Sequence, residues 1–254
     1  IKKLLIQEVN NGKISHAQLF YGEPGYGILP LALAFVQYLF CENKSQEDSC
    51  GICPSCKKVQ ELQHPDLHFS FPVVQTLGKT SDLFLGDWRK QVAENSYFDL
   101  YEWTNRMDSK SRKPIISVDE SKEIIRKLSL KSFEGGFKVI LIWLPEEMNE
   151  QCSNKLLKIL EEPPNNTLFL LVSQAPDKLL LTIQSRTQKI QVPRIDLGEL
   201  SNYFKTQLGK NSAQSDSIAA FAEGDFIRAK NLIQDSDIKQ IHRERFIQLM
   251  RVCY

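Results

Sequence analysis

Four cysteines stand close together in this 254-residue chain, Cys41, Cys50, Cys53 and Cys56, in the pattern C-x8-C-x2-C-x2-C. Four thiolates at such spacing complete the tetrahedral shell of a structural Zn²⁺ ion and leave no position open for substrate. The pattern therefore predicts a closed metal site with a folding role. An iron–sulfur cluster or a set of free thiols also fits the spacing. Cys152 and Cys253 are isolated and read as small, buried or half-buried side chains.

A second chemistry is suggested by Gly22-Glu23-Pro24-Gly25-Tyr26-Gly27-Ile28-Leu29. A loop of the form G-x-x-x-x-G-K-[ST] cradles phosphates on backbone N–H groups at a helix N-terminus, then uses Lys on the outer phosphates and a hydroxyl on Mg²⁺. Here Gly22, Gly25 and Gly27 keep the loop, but the two chemical positions hold Ile28 and Leu29. A plain glycine turn from strand to helix accounts for the octamer as well. The second half of such a site is a buried strand ending in an acid. Val139-Ile140-Leu141-Ile142 runs instead into Trp143 and Leu144, and Glu146 and Glu147 arrive only after Pro145. Phosphoryl transfer depends on that missing charge, so ATP is expected to be unbound or unhydrolysed by this chain.

Ser185-Arg186-Thr187 closes a predicted helical stretch. An arginine there serves a helix dipole or a surface ion pair, or, at a subunit boundary, reaches a neighbour's nucleotide with its rigid, always-charged fork. Basic residues gather at Lys110, Arg112 and Lys113, and again at Lys122, Arg126, Lys127 and Lys131. The second group lies on a predicted helix, as a solvated face or a face toward nucleic acid.

The scaffold that must hold these groups reads as α/β. With 42% apolar and 25% charged residues the chain is globular, and no apolar run approaches the roughly 18–20 residues of a membrane span. A net charge of +1 removes any overall basic field, so contact with DNA must be local or shared with partners. Clustered thiols place the chain in the reducing cytoplasm. Predicted strands cover Gln18–Tyr21, Leu67–Phe71, Pro114–Ser117, Val139–Leu144 and Thr167–Ser173. Helices alternate with them at Ile28–Phe40, Glu120–Lys131, which Ser117-x-x-Glu120 introduces as a capping box, and Gln151–Glu161, which Pro163 stops. Beyond a boundary near residue 194 only helices remain, at Leu197–Gln207, Ala213–Ala222, Phe226–Gln234 and Ile238–Val252. The stretch 74–113 carries Trp88, Tyr97, Phe98, Tyr101 and Trp103 in a polar, weakly periodic context and reads as an insertion without an assigned role. A start at Ile1 and an end inside a helical pattern suggest a piece of a longer chain.

Together these residues resemble the bacterial clamp-loader family, nearest to its delta-prime branch. The likeness is carried by His16-Ala17-Gln18-Leu19-Phe20 before the glycine loop, the four cysteines, and His64-Pro65-Asp66-Leu67. It continues with Asn154-Lys155-Leu156-Leu157-Lys158-Ile159-Leu160-Glu161-Glu162-Pro163-Pro164 and Leu181-Thr182-Ile183-Gln184-Ser185-Arg186. It covers residues 1–72 and 114–193 well and 194–254 loosely. The resemblance implies an AAA+ fold, a Rossmann-like parallel sheet domain over 1–194 with an inserted zinc module at 41–56. A small all-α lid domain would follow over 195–254, with a C-terminal collar domain missing. It implies a non-hydrolysing stator, working in a hetero-pentamer with gamma or tau and delta subunits that loads a sliding clamp on primed DNA. In this branch a Ser-Arg-Cys motif presents an arginine to a neighbour's ATP; here Arg186 is kept and Thr187 replaces the Cys. Gly224-Asp225-Phe226-Ile227-Arg228 resembles the segment whose arginine senses nucleotide in active relatives, and with the loop disabled Arg228 is expected to be structural. An active gamma- or tau-type ATPase and a zinc-stabilised DNA-binding module are the competing readings.

Overall fold

The computed structural model describes residues 1–107, 112–209 and 211–233. Its strands are β1 (Ala17–Tyr21), β2 (Leu67–Ser70), β3 (Lys138–Trp143), β4 (Thr167–Ser173) and β5 (Gln188–Gln191). They form one parallel sheet in the order β2-β3-β4-β1-β5. The helices are α1 (Lys2–Asn10), α2 (Ile28–Phe40), α3 (Pro54–Gln60), α4 (Leu85–Glu94), α5 (Leu100–Met107), α6 (Val118–Ser129), α7 (Glu150–Glu161), α8 (Leu181–Gln184), α9 (Leu197–Gln207) and α10 (Ser212–Ala222). Every residue of β3 and β4 is buried, as parallel strands covered on both faces require. The register sets Tyr21 beside Ser173 and Trp143 beside Val172. The carboxyl ends of β1, β3 and β4 therefore line up at the edge where open α/β sheets take their ligands.

Two compact units result, one of residues 1–23 with 27–192, the other of Pro24–Tyr26 with the residues from Pro193 on. The second has its own small core of Leu200, Phe204, Ala219, Ala222 and Ala229. A further helical segment runs over 226–233. Gln234, the predicted helix Ile238–Val252, Cys253 and Lys110 lie outside the described residues. No helix among the described residues is long and apolar enough to cross a membrane.

Several local expectations fail for physical reasons. Pro114–Ser117 is not a strand: Ile115 and Ile116 make single bridges to Val73 and Met148, and the chain then turns into α6. β5 escaped prediction because it is an edge strand whose only buried residue is Ile190. The short α1 and α3 were also missed, α3 being started by the cysteine motif itself, with Cys53 Sγ accepting the Cys56 N–H.

The expected capping box does not close on itself. Ser117 makes no side-chain cap to α6 and donates its hydroxyl to Lys79 O at 3.3 Å. Glu120 turns away as well, accepting the Ser81 N–H at 2.7 Å, with its other oxygen 2.5 Å from the Ser81 hydroxyl. Lys127, further along α6, reaches Asp82 at 2.5 Å. These three side chains pin the start of the stretch 74–113. That stretch is far from polar throughout: Trp88 and Trp103 are fully buried. Trp88 stacks on Phe71 at 4.3 Å between ring centres and stands edge-on to Trp103 at 5.3 Å. The weak periodicity reflects two short helices sharing one aromatic cluster.

Candidate functional site

The four cysteine sulfurs all lie within 4.8 Å of one another, and none is in a disulfide. Sγ of Cys41 and Cys50 are 3.6 Å apart, those of Cys50 and Cys56 4.0 Å. A tetrahedral zinc with Zn–S of about 2.3 Å separates its sulfurs by about 3.8 Å, so the donors fit such an ion. The chain aims backbone amides at these sulfurs: Cys50 N–H at Cys41, Cys53 N–H at Cys50, and Cys56 N–H at Cys53, at 3.3–3.4 Å. Backbone donors of Ile52 and Cys53 hold the Cys50 thiol down to about 6, while burial pushes the Cys56 thiol up. Gly51, at φ +70°, makes the turn between them. These cysteines could hold a metal ion.

Sequence reasoning missed what ties this centre to the sheet. Cys41 directly follows α2, and Phe40 before it stacks on buried His64 at 4.0 Å and 5°. Asp66 N–H donates to His64 Nδ1, which leaves Nε2–H for Glu134, 3.1 Å away. Asp66 accepts the N–H groups of Phe133 and Glu134 at 2.7 and 2.9 Å, and Glu134 also binds Lys58 and Ser55. The signal was the His64-Pro65-Asp66 run, noted in the sequence without a role. Since α2 spans 13 residues, the cysteines stand about 20 Å from the glycine loop at its other end. That separation suits a structural centre.

All three loop glycines have steric reasons unconnected with phosphate. A Cβ on Gly22 would lie 2.6 Å from Val192 O. Gly27 has φ +79°, and a Cβ there would meet the Tyr97 ring at 3.1 Å. Within the second compact unit, a Cβ on Gly25 would fall 1.7 Å from Asp225 Oδ1, so a carboxylate already stands against that stretch of backbone. Ile28 and Leu29 are buried, in a helix apolar on nearly every face. Trp143, at the position that needs an acid, is 1% exposed and packs on Trp88 at 5.2 Å and Phe98 at 4.9 Å. Leu144 beside it is buried with φ +54°. Glu146 does not substitute for the acid: one of its oxygens accepts the N–H groups of Gln174 and Ala175, and burial holds its carboxyl above the usual range.

Arg186 follows Ser185, the C-terminal cap of α8. Its Nε donates to Glu161 Oε1 at 2.6 Å, one terminal nitrogen pairs with the same oxygen, and the other donates to Thr182 O at 2.8 Å. Its side chain is 32% exposed. The residues of the basic stripe are largely paired. Lys122 binds Asp119, Arg126 binds Glu123, Lys127 binds Asp82 and Lys113 binds Glu147, while Lys131 is exposed. Arg112 donates to the Thr76 hydroxyl. Arg228 pairs with Glu223 at 3.1 Å on the surface.

Residues 1–196 match the model of the family described as DNA polymerase III, delta subunit. The DNA polymerase III subunit delta' of Yersinia pestis is 29% identical over 237 residues, covering 91% of this chain and 58% of that protein. The subunit delta' of Pseudomonas aeruginosa is 31% identical over 172 residues, covering 68% of this chain and 41% of that protein. The chain thus spans about half the length of the curated relatives it matches. Among solved structures, a DNA polymerase III gamma subunit-related protein from Thermotoga maritima has the same fold, with a TM-score of 0.53 at 16% identity over 89% of this chain and 56% of that one.

Proposed function

The chain belongs to the DNA polymerase III delta subunit family, and from that premise we propose that it is a clamp-loader subunit that turns over no ATP of its own and lends Arg186 to a neighbour's ATP site. The observation that carries this reading is the burial of Ile28, Leu29, Trp143 and Leu144 at the four positions where phosphoryl transfer needs an ammonium, a hydroxyl and acids. Catalysis of this reaction is electrostatic stabilisation of charge on the transferring group. An indole wedged between Trp88 and Phe98 supplies none, and an incoming Mg²⁺ would meet rings instead of carboxylates. Arg186, by contrast, sits outside the core with part of its guanidinium unbound to the described residues.

In this reading the subunit is a stator in a hetero-pentamer with gamma or tau and delta subunits of the cytoplasmic replicative holoenzyme. The complex loads the sliding clamp on primed DNA. The four cysteines hold a structural Zn²⁺, which stiffens the end of α2 and takes no part in chemistry. Pairing along α6 leaves little free positive charge for independent DNA binding, which supports contact through the complex.

The test is Arg186→Ala in the full-length subunit assembled with its partners. At the one ATP site it serves, turnover falls about 10³-fold or more, while sites served by other subunits dilute the bulk loss. Unchanged ATP turnover and unchanged clamp loading would remove the finger from the account.

A further inference from the structure

Glu161 closes α7, and Pro163-Pro164 stops the helix from continuing past it. Arg186 arrives from a different element, the end of α8, and meets this carboxylate by its Nε edge. A guanidinium has five N–H donors in one plane. Four contacts engage them here: Nε–H and one hydrogen of a terminal nitrogen on Glu161 Oε1, and the other terminal nitrogen on Thr182 O and Ser185 Oγ. Ser185 Oγ lies further from that last nitrogen, at 3.4 Å. The nitrogen that binds Thr182 O and Ser185 Oγ is thus engaged on both sides, and the hydrogen left uncommitted among the described residues is the second one on the nitrogen paired with Glu161.

We propose that Glu161 is a positioning residue for the arginine finger. This rests on the reading of Arg186 given above. The carboxylate grips the inner edge of the plane and fixes the rotamers of a long side chain while the subunit folds. The free hydrogen of the terminal nitrogen on the Glu161 side is thereby presented before a neighbour's nucleotide arrives. Groups oriented in advance need no reorganisation at the transition state, which is where such alignment raises kcat. Glu161 touches neither nucleotide nor reacting atoms and acts only through Arg186. The pair is half-exposed, and such pairs contribute little to folding, so its removal leaves the subunit folded and assembled.

The experiment compares Glu161→Ala, Glu161→Gln, Arg186→Ala and the double variant Glu161→Ala/Arg186→Ala in the assembled loader. Glu161→Ala is expected to lower kcat at the served site about tenfold to a hundredfold with KM for ATP unchanged. Glu161→Gln, which keeps an acceptor oxygen at the same place, recovers most of that loss. In the Arg186→Ala background Glu161→Ala adds nothing, because the two act as one unit. A Glu161→Ala loader at wild-type speed or faster overturns the proposal, and so does an equal loss with and without Arg186. If Arg186→Ala alone leaves turnover intact, the finger reading itself falls, an outcome separate from the failure of Glu161.

Discussion

Glu120 illustrates how one side chain can be read correctly for its local chemistry and wrongly for its partner. Its place three residues after Ser117 suits a capping box, yet it is 1% exposed and serves Ser81. The Ser81 hydroxyl has one hydrogen and two neighbours, Phe69 O at 3.0 Å and Glu120 Oε1 at 2.5 Å. Burial raises the Glu120 carboxyl above its usual range, against the pull of the Ser81 donors. Glu120→Gln can make the same two bonds, N–H given and N–H received, and should cost under about 1 kcal/mol. Glu120→Ala orphans the buried Ser81 amide while the hydroxyl keeps Phe69 O, a loss of roughly 1–3 kcal/mol. Urea unfolding midpoints of the two variants decide this; equal losses would mean that the ionised carboxylate is what matters.

The strands and helices divide sharply by how much they reveal of themselves. β4 is legible from Thr167 to Ser173 because a continuous apolar run bounded by turns has one reading, and α9 is legible because its apolar stripe begins at the Asp196 cap. Edge strand β5 and the aromatic helices α4 and α5 are not, since their identity comes from tertiary neighbours: Tyr21 pairs with Gln191, and Trp88 lies among Phe71, Trp103 and Trp143. The cysteine centre was legible from spacing alone, whereas its latch through His64, Asp66 and Glu134 joins residues some 70 positions apart in the chain. For that centre the expectation is one Zn²⁺ per chain by native mass spectrometry. Removing it with a chelator withdraws about 4 kcal/mol if free metal stood a thousandfold above its dissociation constant. The melting temperature should then fall by about 10 °C. Recovery of iron with cluster absorption, or of no metal, would replace the zinc assignment.

The chain has a parallel α/β frame, and the positions where a phosphate site would bear charge hold buried apolar side chains. Val192, Asp225 and Tyr97 come too close to Gly22, Gly25 and Gly27 for anything larger, so packing alone requires these glycines. Trp88 and Phe98 pack against Trp143, which makes the end of β3 part of the core. Restoring Lys and Thr in place of Ile28 and Leu29 would bury a charge, and for that reason would not by itself rebuild a site. The most direct measurement is therefore phosphate release by the purified subunit alone with Mg²⁺ and ATP. Release no faster than the buffer background is expected, with or without DNA; steady Mg²⁺-dependent turnover on the scale of about one per second would show that the chain is itself an ATPase.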